Sequence, residues 1–221
     1  MKGRMVDLLR LRFTPGVIAI SALTTAYLLA AAAASIVTGN AEFIFYLLIM
    51  MVLAGALLAV HLDLGLSTPL LMALSIWGAL HMAGGLVPVP ESWPINGDIR
   101  VLYSWWIIPK EGGGGYLKYD HIAHAYGFGV ATWASWVCLT RILQRSAGIA
   151  PRPTFGLLLL CFAAGCGFGA LNELIEFVAT RITTTNVGGY DNTGWDLVSN
   201  TFGALIAALL IRATAIPQPT R

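Results

Sequence analysis

EFIFYLLIMMVLAGALLAVHL, residues 42–62, is the stretch that decides what kind of protein this is. Its interior carries no charge, and about 20 mostly apolar residues in a row are what a helix needs to cross the hydrocarbon core of a bilayer. Five further segments answer the same description, so spans are expected at 17–38, 42–62, 67–87, 119–141, 155–178 and 195–212, separated by Gly, Pro or charge. Composition agrees: 57% of the residues are hydrophobic and 11% are charged, where a soluble domain has roughly a quarter charged. The expected fold class is all-α, a polytopic membrane helix bundle of six spans forming one domain over residues 1–221. A formal charge of +2 gives no reason to expect a nucleic-acid partner. The basic stretch MKGRMVDLLRLRFTPG leads into a long apolar run without a small-residue cleavage site, so it reads as part of a retained first helix.

Lysine and arginine near the span ends set the orientation. With the amino terminus in the cytoplasm, the inner segments hold Lys2, Arg4, Arg10, Arg12, Arg141, Arg145, Arg152, Arg212 and Arg221 of the 13 Lys and Arg in the chain. Arg100, Lys110, Lys118 and Arg181 fall outside, although the outer segments include the longest loop. Both termini are therefore expected in the cytoplasm. That loop, residues 88–117, holds VPVPESWPING and EGGGGY with Trp93, Trp105 and Trp106 between them. Its Pro and Gly argue against a regular span and its aromatics suit the headgroup level, so it is expected as an outer lid. Cys138, Cys161 and Cys166 show no metal-binding spacing and read as packing residues. Gly165 and Gly169 have the spacing that lets another helix approach closely.

The polar residues converge on one layer. At about 1.5 Å per residue, Asp120 stands at the outer entrance of the fourth span and His124 one turn deeper. The fifth span begins inside near Phe155, which puts Glu173 and Glu176 about 27 and 31 Å further along, at its outer end. The sixth begins outside with Asp196 and carries Asn200 one turn on, and His81 lies late in the outward-running third. Residues three or four apart share a helix face. Asp120 with His124, Asn172 with Glu176, and Asp196 with Asn200 are therefore paired, as are His121 with His124 and Glu173 with Glu176. Asp191, in TTTNVGGYDNTGWD, is expected in the turn ahead of Asp196, where it either reaches the layer or stabilises a Gly-rich turn. His61 and Asp63 read as a loop pair on the cytoplasmic side.

Ionisable groups inside a membrane protein are costly unless paired or hydrated, and by default they mark function. Two His with several carboxylates suit a divalent ion, with Zn, Mn or Fe fitting mixed nitrogen and oxygen donors. The metal ligands expected are His121, His124, Glu173 and Asp196. Asp120, His124, Glu173, Glu176 and Asp196 are the candidate catalytic groups, and His81, Asp191 and Asn200 stand beside them. The same groups could relay protons, or each could be a hydrogen-bonded packing residue, with Asp196 an amino-terminal cap.

DHIAH with AYGFG, then NELIEF, then WDLVSNTFGA resembles the VanZ-like membrane proteins. HMAGG ahead of the Pro-rich loop, YDHIAH and GGYDNTGWD are similar to the YjdF-like branch of inner-membrane proteins. The likeness covers roughly residues 75 to 210 and falls on His81, Asp120, His124, Glu173, Glu176, Asp191, Asp196, Asn200 and Gly203. The first two spans add nothing specific to it. His121 stands where VanZ-like members often carry a basic residue, and Asp191 and Asp196 are five apart where the branch has four. The resemblance implies a multi-pass protein of a bacterial inner membrane with its polar site facing outward. It also implies an association with the outer cell envelope, without a defined reaction.

Three functions follow as expectations. The first is a metal-dependent hydrolase or transferase acting on a membrane lipid or lipid-linked small molecule of the envelope, with Arg100, Lys110 or Arg181 engaging a phosphate. The second is a binding or transport protein without chemistry. Six short helices are thin for a transporter unless two copies associate, which keeps a homo-oligomer among the expected partners. The third is a structural subunit whose polar layer locks helix ends together.

Overall fold

The computed structural model describes residues 12–215, so Lys2, Arg4, Arg10 and Arg221 of the orientation argument lie outside the described residues. Within the described residues six long α-helices follow one another: α1 (Pro15–Thr38), α2 (Ala41–Leu64), α3 (Thr68–Leu86), α4 (Tyr119–Ala147), α5 (Phe155–Ile182) and α6 (Tyr190–Thr214). Their ends are written locally. Thr14 accepts the Val17 amide at 3.3 Å with Pro15 opening α1, Asn40 accepts the Phe43 amide at 3.1 Å, and Thr154 accepts the Leu157 amide at 3.4 Å. The tight turn from α1 into α2 passes through Gly39 at φ 65°, a left-handed conformation that glycine adopts without steric cost.

Large apolar side chains face outward along these helices, among them Leu29, Val52, Leu160, Phe177 and Leu209. Such a surface is stable only against hydrocarbon, and helices that satisfy their own backbone are the elements that tolerate it. Five of the six, all but α4, are long and apolar enough to cross a membrane on their own, with mean hydropathy of 1.4 to 2.8 over their best stretches. The fourth expected span differs for a physical reason. Asp120, His121, His124, Arg141 and Arg145 dilute its hydropathy, and it is instead the central helix, packed by α3, α5 and α6.

Small residues let these helices meet. A methyl group on Gly203 would run into the Ala125 carbonyl, so α4 and α6 touch backbone to backbone. Gly165 faces Thr132 and Gly169 faces Asn200, each so closely that a methyl group added there would collide with the facing side chain, so the expected close approach at these two glycines joins α5 to α4 and α6.

The two ends of the bundle are unlike. At one, the Arg12 side chain donates to the Leu62 and Asp63 carbonyls, Arg145 pairs with Asp63, and His61 Nε2 donates to the Arg12 carbonyl at 3.0 Å. At the other, residues 88–117 fold into a short 3-10 turn at Leu102–Ser104 and an antiparallel hairpin, β1 (Trp106–Pro109) and β2 (Gly115–Lys118). The hairpin was not expected from so many Gly and Pro. The tip glycines 112–114 all have positive φ, which is how a Gly run makes a reversal between strands. Arg100, expected as a phosphate ligand, is spent inside this loop, donating to the Pro90, Glu91 and Trp93 carbonyls.

Candidate functional site

Asp120 occupies the first turn of α4, where the helix dipole favours an acid, and His124 follows on the same face. From α5 come Glu173 and Glu176, from α6 Asp196 and Asn200, and all six side chains are buried. His124 is the hub. Its Nδ1 lies 2.9 Å from Asn200 Oδ1 and 3.5 Å from Glu173 Oε1, and its Nε2 lies 3.4 Å from Asp120 Oδ1 and 3.9 Å from Glu176 Oε1. One donor atom each from Asp120, His124 and Asp196 lies within 4.8 Å of the others, and the same holds for His124, Glu173 and Glu176.

The partners explain why these groups are oriented as they are. Lys118, buried at the foot of β2, donates to Asp120 Oδ2 at 3.1 Å and to Asn192 Oδ1, while Asn192 Nδ2 donates to Asp196 Oδ2. Asn172 Nδ2 holds Glu176 Oε1 at 2.8 Å. With Nδ1–H given to Asn200, His124 presents Nε2 to two carboxylates, an arrangement that calls for something positive between them. Both oxygens of Glu173, Asp196 Oδ1 and Asn200 Nδ2 are buried without a hydrogen-bond partner. Four buried carboxylates thus face one lysine, an uncompensated negative charge in a medium that tolerates little.

Beside the cluster opens a cavity of about 270 Å³ whose walls include Glu42, Tyr46, His81, Lys118, Asp120 and Glu176. Tyr103 from the loop reaches His81 Nδ1 at 2.5 Å. Burial, and next the charge of Asp120, push the Tyr103 phenol well above its usual range, so it stays protonated.

Several expected members stand elsewhere. His121 does not join the cluster, because it lies one residue past Asp120 and so about 100° round the helix. Its Nδ1 accepts the Lys118 amide at 3.2 Å, closing the start of α4, and its ring lies between Trp106 and Trp195. His81 lines the cavity wall and is spoken for by Tyr103. Asp191 is exposed, because α6 begins at Tyr190 and not near Asp196. The residue four before Asp196, and hence on its face, is Asn192. For the same reason Asp196 is no cap: it sits in the second turn of α6, fully buried.

Sequence reasoning passed over Glu42 and Tyr46, since α2 looked uniformly apolar. The signal was available: α2 starts at the same end as α6, so an acid at its second residue belongs to the same layer. Glu42 Oε2 accepts the Asn186 amide at 3.0 Å, which ties α2 to the α5–α6 turn.

Comparison with known proteins places the chain in a family without giving it a reaction. Residues 19–215 match the family described as Predicted membrane protein (DUF2238). No curated protein and no solved structure matches the chain.

Proposed function

The chain belongs to the DUF2238 family of membrane proteins, and from that premise and the geometry of the buried cluster we propose that it is a cation-dependent integral membrane enzyme. It would hold a divalent ion on His124, Asp120, Glu173 and Asp196 and act on the polar head of a membrane lipid or lipid-linked envelope intermediate. The observation that carries this reading is the imbalance of charge among the described residues: four buried carboxylates gather around His124, against the ammonium of Lys118, and both oxygens of Glu173 lack a hydrogen-bond partner.

A nitrogen donor among carboxylates suits Zn, Mn or Fe, and Asn200 Oδ1 would accept the other ring N–H, as partners of metal-bound His do. Such an ion supplies Lewis acidity toward water or a phosphoryl oxygen. The chain's own residues do the rest. Glu176 borders both cluster and cavity and is placed to take a proton from a nucleophile entering there. Lys118 and Asn192 keep Asp120 and Asp196 turned inward, and the loop 88–117 with Tyr103 closes over the cavity. The VanZ-like and YjdF-like motifs, with the bias of Lys and Arg, support an inner-membrane enzyme whose site faces the outer side and whose substrate belongs to the envelope.

Protein extracted in mild detergent is expected to carry about one Zn, Mn or Fe per chain by elemental analysis. The His124→Ala, Glu173→Ala double variant should carry none, and headgroup release from lipid vesicles should follow the metal. Metal-free protein that releases headgroup at the full rate would remove the reading.

A further inference from the structure

A second feature runs down the outside of the α4–α6 pair. It is a groove of about 790 Å³, floored by Ala125, Gly129, Gly203 and Ala207 and walled by larger side chains such as Trp133 and Phe202. It follows α6 from Trp195 to Thr214, about 28 Å of helix, most of the roughly 30 Å hydrocarbon core. The floor is low because α4 and α6 cross backbone to backbone at Gly203 and Ala125.

What separates this groove from an ordinary crevice against lipid is its head end. His121 lines it, is buried to within 8% of its surface, and has no partner for Nε2. The Lys118 amide can only donate, so His121 Nδ1 accepts it and the ring proton sits on Nε2. Packed edge-on against His121, with ring centroids 6.2 Å apart, is Trp106, which does not itself line the groove but whose Nε1–H is also buried and without a hydrogen-bond partner. Two buried N–H donors without an acceptor are costly and call for oxygen atoms from elsewhere. Around them Tyr116 and Trp195 are exposed, the aromatic residues expected at headgroup level.

We propose that the α4–α6 groove holds the hydrocarbon tail of one membrane phospholipid, whose phosphate or ester oxygens accept hydrogen bonds from His121 Nε2 and Trp106 Nε1. The inference extends the lipid-substrate reading above by locating the tail, and it stands on residues that the cation centre does not use. It makes His121 a lipid-binding residue.

The test is native mass spectrometry of the delipidated full chain titrated with phosphatidylglycerol in detergent, with metal content measured on the same samples. Wild type should retain one lipid per chain. His121→Leu and Trp106→Phe should weaken it about tenfold, the worth of a lost buried hydrogen bond. Ala207→Phe should abolish it by filling the floor, whereas Leu53→Phe, on the exposed face of α2, should change nothing. All four variants should keep the wild-type metal content, so loss of lipid and loss of metal are read separately. Retention of lipid by Ala207→Phe, unchanged affinity in both donor variants, or displacement of the lipid by millimolar inorganic phosphate would each overturn the proposal.

Discussion

Replacing Glu173 with Gln separates a cation centre from a hydrogen-bonded lock between helix ends. The substitution keeps shape and removes one charge, at a carboxylate that is buried and lacks a hydrogen-bond partner on either oxygen. A ligand at 100 times its dissociation constant stabilises the folded state by about 2.7 kcal/mol. For a chain of this length each kcal/mol is worth roughly 2–4 °C in Tm, so the cation should raise Tm of the wild type by roughly 5–11 °C. If loss of the carboxylate weakens binding about 100-fold, the same cation concentration adds only about 0.4 kcal/mol, a shift of roughly 1–2 °C. Without metal the sign reverses. The wild type then carries a buried charge without hydrogen bonds, among like charges, that the variant lacks, so metal-free Glu173→Gln should melt above metal-free wild type. The assay is thermal unfolding in detergent, followed by tryptophan fluorescence, with chelator or with added Zn or Mn. A full metal-induced rise in the variant, or a metal-free variant that melts well below wild type, would refute the reasoning.

Other changes probe the supports of the site. Lys118→Met leaves Asp120 without its ammonium and Asn192 without a donor, and should cost about 3 kcal/mol or more in metal-free protein, read as a lower Tm. Gly203→Ala places a methyl group on the Ala125 carbonyl and should drive apart α4 and α6, seen as loss of the monodisperse peak in size-exclusion chromatography. Gly55→Ala, with open space around it, should not. Asn192→Ala should weaken cation binding roughly 10- to 100-fold by freeing Asp196 and Lys118, while Asp191→Ala, on the exposed face of α6, should leave it unchanged in a calorimetric titration.

Much of this architecture was legible because a bilayer imposes one length and one polarity on every span. The six helices fall where the spans were expected, five of them on strongly apolar runs, and a rise per residue was enough to carry Asp120, His124, Glu173, Glu176, Asp196 and Asn200 to one level. What failed was azimuth and onset. His121 has the right residue type at the right depth, but one step round α4 turns it to the tryptophans. The start of α6 was read at Trp195 because GGYDNTG looks like a turn, and the five preceding helical residues moved the facing position from Asp191 to Asn192. Glu42 was hidden by its own apolar neighbours. Lys118 was visible as a charge but sits before the helix, where periodicity says nothing of direction and only the hairpin sets it.

The central claim is that the excess charge around His124 is met by a metal ion, and anomalous diffraction from crystals grown with Zn or Mn tests it most directly. The account predicts a peak at about 2.0–2.2 Å from His124 Nε2 and from oxygens of the surrounding carboxylates, absent from Glu173→Gln crystals. An empty map at that position, with a doubly protonated His124 bridging Asn200 and Asp120, would contradict it.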